Sequence, residues 1–193
     1  MRRSLTNSQV RQLLSAVDLS SPFGRRDYLL ILFFYQTGLR VGECSRLLVH
    51  LVSRNGVPFQ ALDLPSMFCK GSRGRVVPLN ATAQACITKL LEFNRSRGFS
   101  TAPAAPLFQN SKHCPLSIRS IQKLIKKYRL ASGLEISATP HTLRHAHASA
   151  LVGSGVPLPS VQRLLGHRSL NSTQVYTAPS HLELAQASAA LGG

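Results

Sequence analysis

At 193 residues the chain is long enough to bury a core of its own, and a hydrophobic content of 44% excludes a disordered protein. Its 23 Lys and Arg against 7 Asp and Glu give a formal net charge of +16, which points to a polyanionic partner. No apolar run approaches the roughly 18 residues of a membrane span, and the amino-terminal MRRSLTNSQ has no apolar signal core, so a cytoplasmic protein without a membrane partner is expected.

In chain order, Thr6-Asn7-Ser8-Gln9 has the form of a capping box, and Val10, Leu13, Leu14 and Val17 continue it at helical spacing. A second helix is predicted to start at Ser21-Pro22 and to run through Tyr28 to Gln36 as the most apolar element of the core. Gly38 interrupts it, and Val41 to Leu48 reads as a third helix with Arg40 at its start. From Val49 to Leu79 short β-like runs alternate with Asn55-Gly56, Pro58 and Pro65. Met67 to Lys70 and Arg75 to Leu79 read as a hairpin around Gly71 to Gly74, with Lys70 at its tip. Asn80 or Thr82 caps a helix through Arg97, and the Pro-rich Ser100 to Pro106 is a surface loop. Ser117 to Ala131 is a basic helix, with Ile118, Ile121, Leu124, Ile125 and Tyr128 inward and Arg119, Lys123, Lys126 and Lys127 outward. A helix from Pro140 ends at Gly153 and Gly155; Leu158 to Leu165 and His181 to Leu191 are two more. In the Pro140 helix, His141 and Arg144 share a face, and Leu143, His147, Ala150 and Leu151 form the opposite, buried stripe. The elements add up to a mainly α chain with a small antiparallel β-sheet.

Cys44, Cys69, Cys86 and Cys114 contain no C-x-x-C pair, so they read as free thiols rather than zinc or redox ligands. Asp18, Asp27, Glu43, Asp63, Glu92, Glu135 and Glu183 are scattered singly, whereas a two-metal nuclease clusters its carboxylates. Chemistry on nucleic acid is therefore expected to need no metal and no cofactor. His141 and His145, at i and i+4, also have the spacing of two metal ligands, but no zincin glutamate or third ligand accompanies them.

Metal-free cleavage of a phosphodiester needs a nucleophile, a base, an acid for the leaving oxygen, and cations on the non-bridging oxygens. Arginine suits the last task because its planar fork is always charged and donates two bonds to one phosphate. Histidine titrates near neutrality and suits proton transfer. A tyrosine near a base or cation can attack phosphorus. Tyr28, Tyr35 and Tyr128 sit in apolar stripes, whereas Tyr176 lies in a polar segment, where a helix-end packing role is the alternative.

His141-x-x-Arg144-His145, the Leu164-Leu165-Gly166-His167 turn and Tyr176 nine residues later resemble the second signature box of the tyrosine recombinases, the phage integrase, Xer and Cre family. Thr37-Gly38-Leu39-Arg40-Val41-Gly42-Glu43 resembles the family's first box. The resemblance runs from about Leu5 to Thr177 and implies the DNA breaking-rejoining catalytic fold, a mainly helical α+β domain. It implies catalytic roles for Arg40, Lys70, His141, Arg144, His167 and Tyr176. The two arginines would grip the phosphate, the histidines would assist as phosphate donors and proton handlers, and Lys70 would protonate the leaving 5′-oxygen. Tyr176 would carry a 3′-phosphotyrosyl intermediate. Glu43 and His145 would be supporting residues. The implied partner is double-stranded DNA, with the chain monomeric in solution and tetrameric on DNA. The expected organisation is a single catalytic domain over residues 1–193 without the family's separate N-terminal helical domain, from an excised fragment or a naturally short protein. A type IB-like topoisomerase and an inactive basic DNA-binding protein are the alternatives.

Overall fold

Thr6 starts α1 (Asn7–Ser15) with a reciprocal cap: its hydroxyl accepts from the Gln9 N–H at 3.2 Å, and the Gln9 side chain accepts from the Thr6 N–H at 2.9 Å. Such a cap contributes about 1 kcal/mol, and Val10, Leu13 and Leu14 then point into the core. The computed structural model describes residues 4–68 and 74–166.

The second helix, α2 (Gly24–Thr37), starts later than Ser21-Pro22. Asp18 Oδ1 accepts from both the backbone N–H and the hydroxyl of Ser20, and Gly24 N–H donates to Ser21 O at 3.0 Å, so residues 18–24 are held in tight turns that compete with helix initiation. Once begun, α2 runs through the middle of the molecule between α5 and α7. Its Leu30, Ile31, Phe33 and Phe34 are almost wholly buried.

Of the predicted helix over Val41 to Leu48 only one turn forms, α3 (Val41–Cys44), and a second single turn, α4 (Val49–Val52), follows where β-like runs were expected. The cause is non-local. Leu48 forms a bridge with Pro106, Leu107 N–H donates to Leu47 O at 2.8 Å, and Val49 and His50 donate to Ala105 and Pro103. The Pro-rich loop thus takes backbone groups that a continuous helix would have used.

Two small antiparallel pairs follow. In the first, β1 (Ser53–Arg54) turns through Asn55 and Gly56, both at positive φ, into β2 (Val57–Pro58). In the second, β3 (Ala61–Leu64) pairs with β4 (Arg75–Pro78), with Leu62 opposite Val77 and Leu64 opposite Arg75. This corrects the predicted hairpin. The alternating segment is Ala61 to Leu64, whose Leu62 and Leu64 are buried, whereas Met67 lies in a 3₁₀ turn (Ser66–Phe68) and is 77% exposed. Lys70, assigned to the hairpin tip, lies outside the described residues.

The remaining helices are α5 (Ala81–Ser96), capped by Asn80, α6 (Ile118–Ala131), capped by Ser117, α7 (Pro140–Gly153), capped by Thr139, and α8 (Leu158–Leu165). The bounds of all four follow the sequence pattern closely, although Ile118, at the first position of α6, is 45% exposed. One hydrophobic cluster joins α1, α2, α5, α6 and α7, and a smaller one seats Val161 and Leu165 of α8 against Ala148 of α7. Under α6, Arg26 donates to Asp27 Oδ1 from Nε and Nη2, and the Tyr128 hydroxyl donates to Asp27 Oδ2 at 2.9 Å. No helix among the described residues is long and apolar enough to cross a membrane.

Candidate active site

Three arginines from distant parts of the chain meet at the end of α8. Arg40, the residue before α3, donates from Nη2 to Gly166 O at 2.7 Å. Arg75, the first residue of β4, donates from Nε to Leu164 O at 3.0 Å. Arg144, from α7, donates from Nη2 to Leu165 O. Three consecutive carbonyls that have no partner within a helix terminus are thereby each given a cationic donor, at the end where the helix dipole is negative. His167 is the next residue in the chain.

Arg144 departs from the face assigned to it. It is only 6% exposed and lies with Leu143, Ala146 and His147 on the buried side of α7, while His141 is exposed and Ala150 and Leu151 are half-buried. The reason is a second helix end. Arg144 Nη1 donates at 2.5 Å to the carbonyl of Gly38, which closes α2 in the left-handed region at φ +60. One permanent cation therefore sits where the negative ends of two helices converge. The rings of His141 and His145 lie 4.2 Å apart at the N-terminal turns of the same helix. Beside them opens a cavity of about 480 Å³ lined by Val41, Lys126, Arg129, Thr139 and His141 among others.

Glu43 is 1% exposed and is the hub of the first motif. Its Oε2 accepts from the Arg40 backbone N–H at 2.7 Å, its Oε1 from Arg40 Nη1 at 3.1 Å, and both oxygens accept from Arg75, at 2.6 and 2.7 Å. Burial alone would raise its pKa, but the Arg75 hydrogen bonds, the Arg40 N–H and the two positive charges together hold the carboxyl below its usual value. Arg40 itself keeps 34% of its side chain exposed, the more open of the two arginines on this carboxylate.

His147 has a structural task. Its Nδ1 donates to Tyr35 O at 2.8 Å, while Nε2 has no hydrogen-bond partner among the described residues. A Cβ on Gly38 would come within 2.5 Å of the ring, so glycine at that position serves both the positive φ and the close approach. Burial, opposed by the Tyr35 carbonyl and aided by the Arg144 charge, pushes the His147 pKa down to about 4. The unfolded chain takes up this proton below its ordinary value near 6.5, whereas the folded state takes it up only near 4. Stability is thus full above about pH 6.5 and is lost as pH falls toward 4, by about 2.5 kcal/mol at pH 4.5. Chemical denaturation at pH 7 and pH 4.5 is expected to show that extra loss in the parent and not in His147→Asn; equal pH dependence in both would contradict the assignment.

Of the residues picked out in the sequence, the structure brings Arg40, Glu43 and Arg144 together at one helix end and places His141 and His145 on α7. Lys70, His167 and Tyr176 lie outside the described residues, as does the helix predicted at His181 to Leu191. Arg75 was not singled out. Its signal was present in the strand alternation, because positions 75, 77 and 79 share a face on which Val77 and Leu79 are buried. Among the described residues no three His, Cys, Asp or Glu side chains are grouped to hold a metal ion. Cys44 and Cys86 are buried free thiols with raised pKa values, the latter at about 11, and Cys114 is free and exposed.

The profile of the phage integrase family matches residues 3–183. The tyrosine recombinase XerD of Xanthomonas axonopodis pv. citri (strain 306) is 37% identical over 196 residues, covering 96% of this chain and 62% of the relative. The tyrosine recombinase XerC of Methylobacterium sp. (strain 4-46) is 40% identical over 152 residues, covering 79% and 45%. The chain thus spans about half to two thirds of the length of these relatives. Among solved structures, the XerH site-specific recombinase bound to its palindromic difH substrate, in a post-cleavage complex, superposes with a TM-score of 0.78 at 25% identity, covering 98% of this chain and 53% of that one. The XerA recombinase shares the fold with a TM-score of 0.78 at 22% identity, covering 96% and 64%. On the family profile and these relatives together, the chain belongs to the phage integrase family, the tyrosine recombinases.

Proposed function

We propose that this chain carries the catalytic centre of a site-specific DNA recombinase, a metal-independent enzyme of the cytoplasm that cuts and rejoins double-stranded DNA. The observation that carries the reading is the convergence of Arg40 and Arg144 on the last turn of α8, directly before His167, in a chain of this family. Two fixed cations aimed at one point suit the charge that develops on the non-bridging oxygens of a phosphodiester under attack. Tyr176 supplies the nucleophilic oxygen. Its bond to phosphorus forms as the bond to the 5′-oxygen breaks, the phenolic proton passes to a base assisted by His141 and His167, and Lys70 delivers a proton to the departing 5′-oxygen. The 3′-phosphotyrosyl link keeps the energy of the original diester, so a 5′-hydroxyl from a partner strand reseals it by the reverse steps. Glu43 orients Arg40, and His145 supports His141 by ring contact. DNA is engaged by a monomer in solution that assembles as a tetramer on its substrate, with the excess of positive charge supplying phosphate contacts. The XerH structure, a complex with its difH substrate, supports this partner.

The test is a pool of nicked suicide duplexes with randomised centres, incubated with the chain in excess EDTA. A denaturation-resistant protein–DNA adduct is the expected result. Absence of adduct, or an adduct that needs added magnesium, would defeat the mechanism.

A further inference from the structure

Arg75 and Arg40 occupy the same neighbourhood but face different ways. Both donate to Glu43, and both reach the last turn of α8, through Leu164 O and Gly166 O respectively. Yet the Arg75 side chain is 9% exposed against 34% for Arg40. Its aliphatic part lies across Gly166, where an added Cβ would stand 3.1 Å from Arg75 Cδ. Arg75 is therefore packed under the site, and Arg40 is the more open of the two.

The distances show how the carboxylate is shared. Arg75 holds both Glu43 oxygens with a planar fork, at 2.6 and 2.7 Å, whereas the Arg40 guanidinium meets one oxygen at 3.1 Å. A bidentate guanidinium pair is the strongest side-chain contact available to a buried carboxylate. With Arg75 removed, Glu43 loses its bidentate partner while staying buried beside Arg40, and a buried charge deprived of a counter-ion draws a neighbouring one inward. Arg40 would then turn from the substrate toward its own carboxylate.

We propose that Arg75 is a positioning residue for DNA cleavage: by holding both oxygens of Glu43, it lets that carboxylate orient Arg40 without consuming it. The assignment rests on the recombinase reading above. It makes a signed prediction, because neutralising Glu43 should relieve the defect that loss of Arg75 creates, whereas two merely structural losses would accumulate.

The experiment measures the rate of adduct formation on the nicked duplex pool at saturating protein, together with the Kd for the same DNA, for the parent, Arg75→Met, Glu43→Gln and the double variant. The Arg75→Met chain is expected to cleave at least about tenfold more slowly with its Kd changed by less than about twofold, and the double variant is expected to be faster than Arg75→Met alone. A slowing wholly accounted for by weaker binding, or a double variant slower than either single one, would overturn the assignment. Should Arg75→Met not fold, Arg75→Lys, which keeps the charge and loses the fork, is compared in the same way, and cleavage at the parental rate overturns it. A parent chain that forms no adduct defeats the proposed function itself; a competent parent with an unrelieved variant defeats only the role of Arg75.

Discussion

Replacing Tyr176 by Phe is expected to abolish the covalent adduct while leaving DNA binding intact, since the substitution removes one oxygen and keeps the ring. Loss of an acting nucleophile costs on the order of 10⁴-fold or more, and the described tyrosines offer no substitute. Tyr128 is 2% exposed, its hydroxyl donates to Asp27, and burial together with that carboxylate raises its pKa far above the ordinary value. The Tyr35 hydroxyl donates to Asn7 at 2.7 Å and is likewise raised by burial. Tyr28 is half-buried against the core, so Tyr28→Phe should form adduct at close to the parental rate. An undiminished adduct in Tyr176→Phe would move the chemistry to another residue.

The second large effect is expected at Arg144, and it should be double. Arg144→Met removes the cation proposed to grip the phosphate, and loss of such a donor typically costs about 10²- to 10³-fold in rate. It also strips the donors from Gly38 O and Leu165 O at the junction of two helix ends. At about 1–3 kcal/mol for each buried acceptor left without a donor, the fold should weaken by roughly 2–6 kcal/mol. Arg40→Met is the contrast, because its side chain is one-third exposed: cleavage should fall comparably while stability changes by about 1 kcal/mol. Chemical denaturation beside adduct kinetics separates the two. Parental stability in Arg144→Met would show that the buried guanidinium is not the strut described.

What was legible in the sequence was local. The Thr6 box, the cap at Asn80 (one of two candidates, with Thr82), and the bounds of α6 and α8 each depend on residues within a few positions of one another, and each stands where its pattern put it. The misplaced elements were decided from afar. The helix over 41–48 was lost to backbone pairing with residues 103–107, and the strand opposite Arg75 proved to be Ala61 to Leu64 rather than Met67 to Lys70. Within the site, Arg40, Glu43 and Arg144 were marked by motif. Arg75 was hidden because the carboxylate that explains it stands 32 positions earlier, and one arginine among 23 basic residues carries no local mark beyond its place on an inward strand face. The burial of Arg144 was equally unreadable, since its acceptors are 106 and 21 positions away.

The triple attachment at the end of α8 also sets an order of assembly. Its contacts close loops of 126, 89 and 21 residues, and closure of long loops is slow because chain entropy is spent before the contact forms. The acceptors at 164–166 are the last of the group to be synthesised, while Arg40, Arg75 and Arg144 all precede them. A chain still emerging from the ribosome therefore displays the cations without the helix end that aims them. The triple attachment cannot be completed before residue 166 is free to dock, so translation products that stop short of it hold the three arginines without their shared anchor.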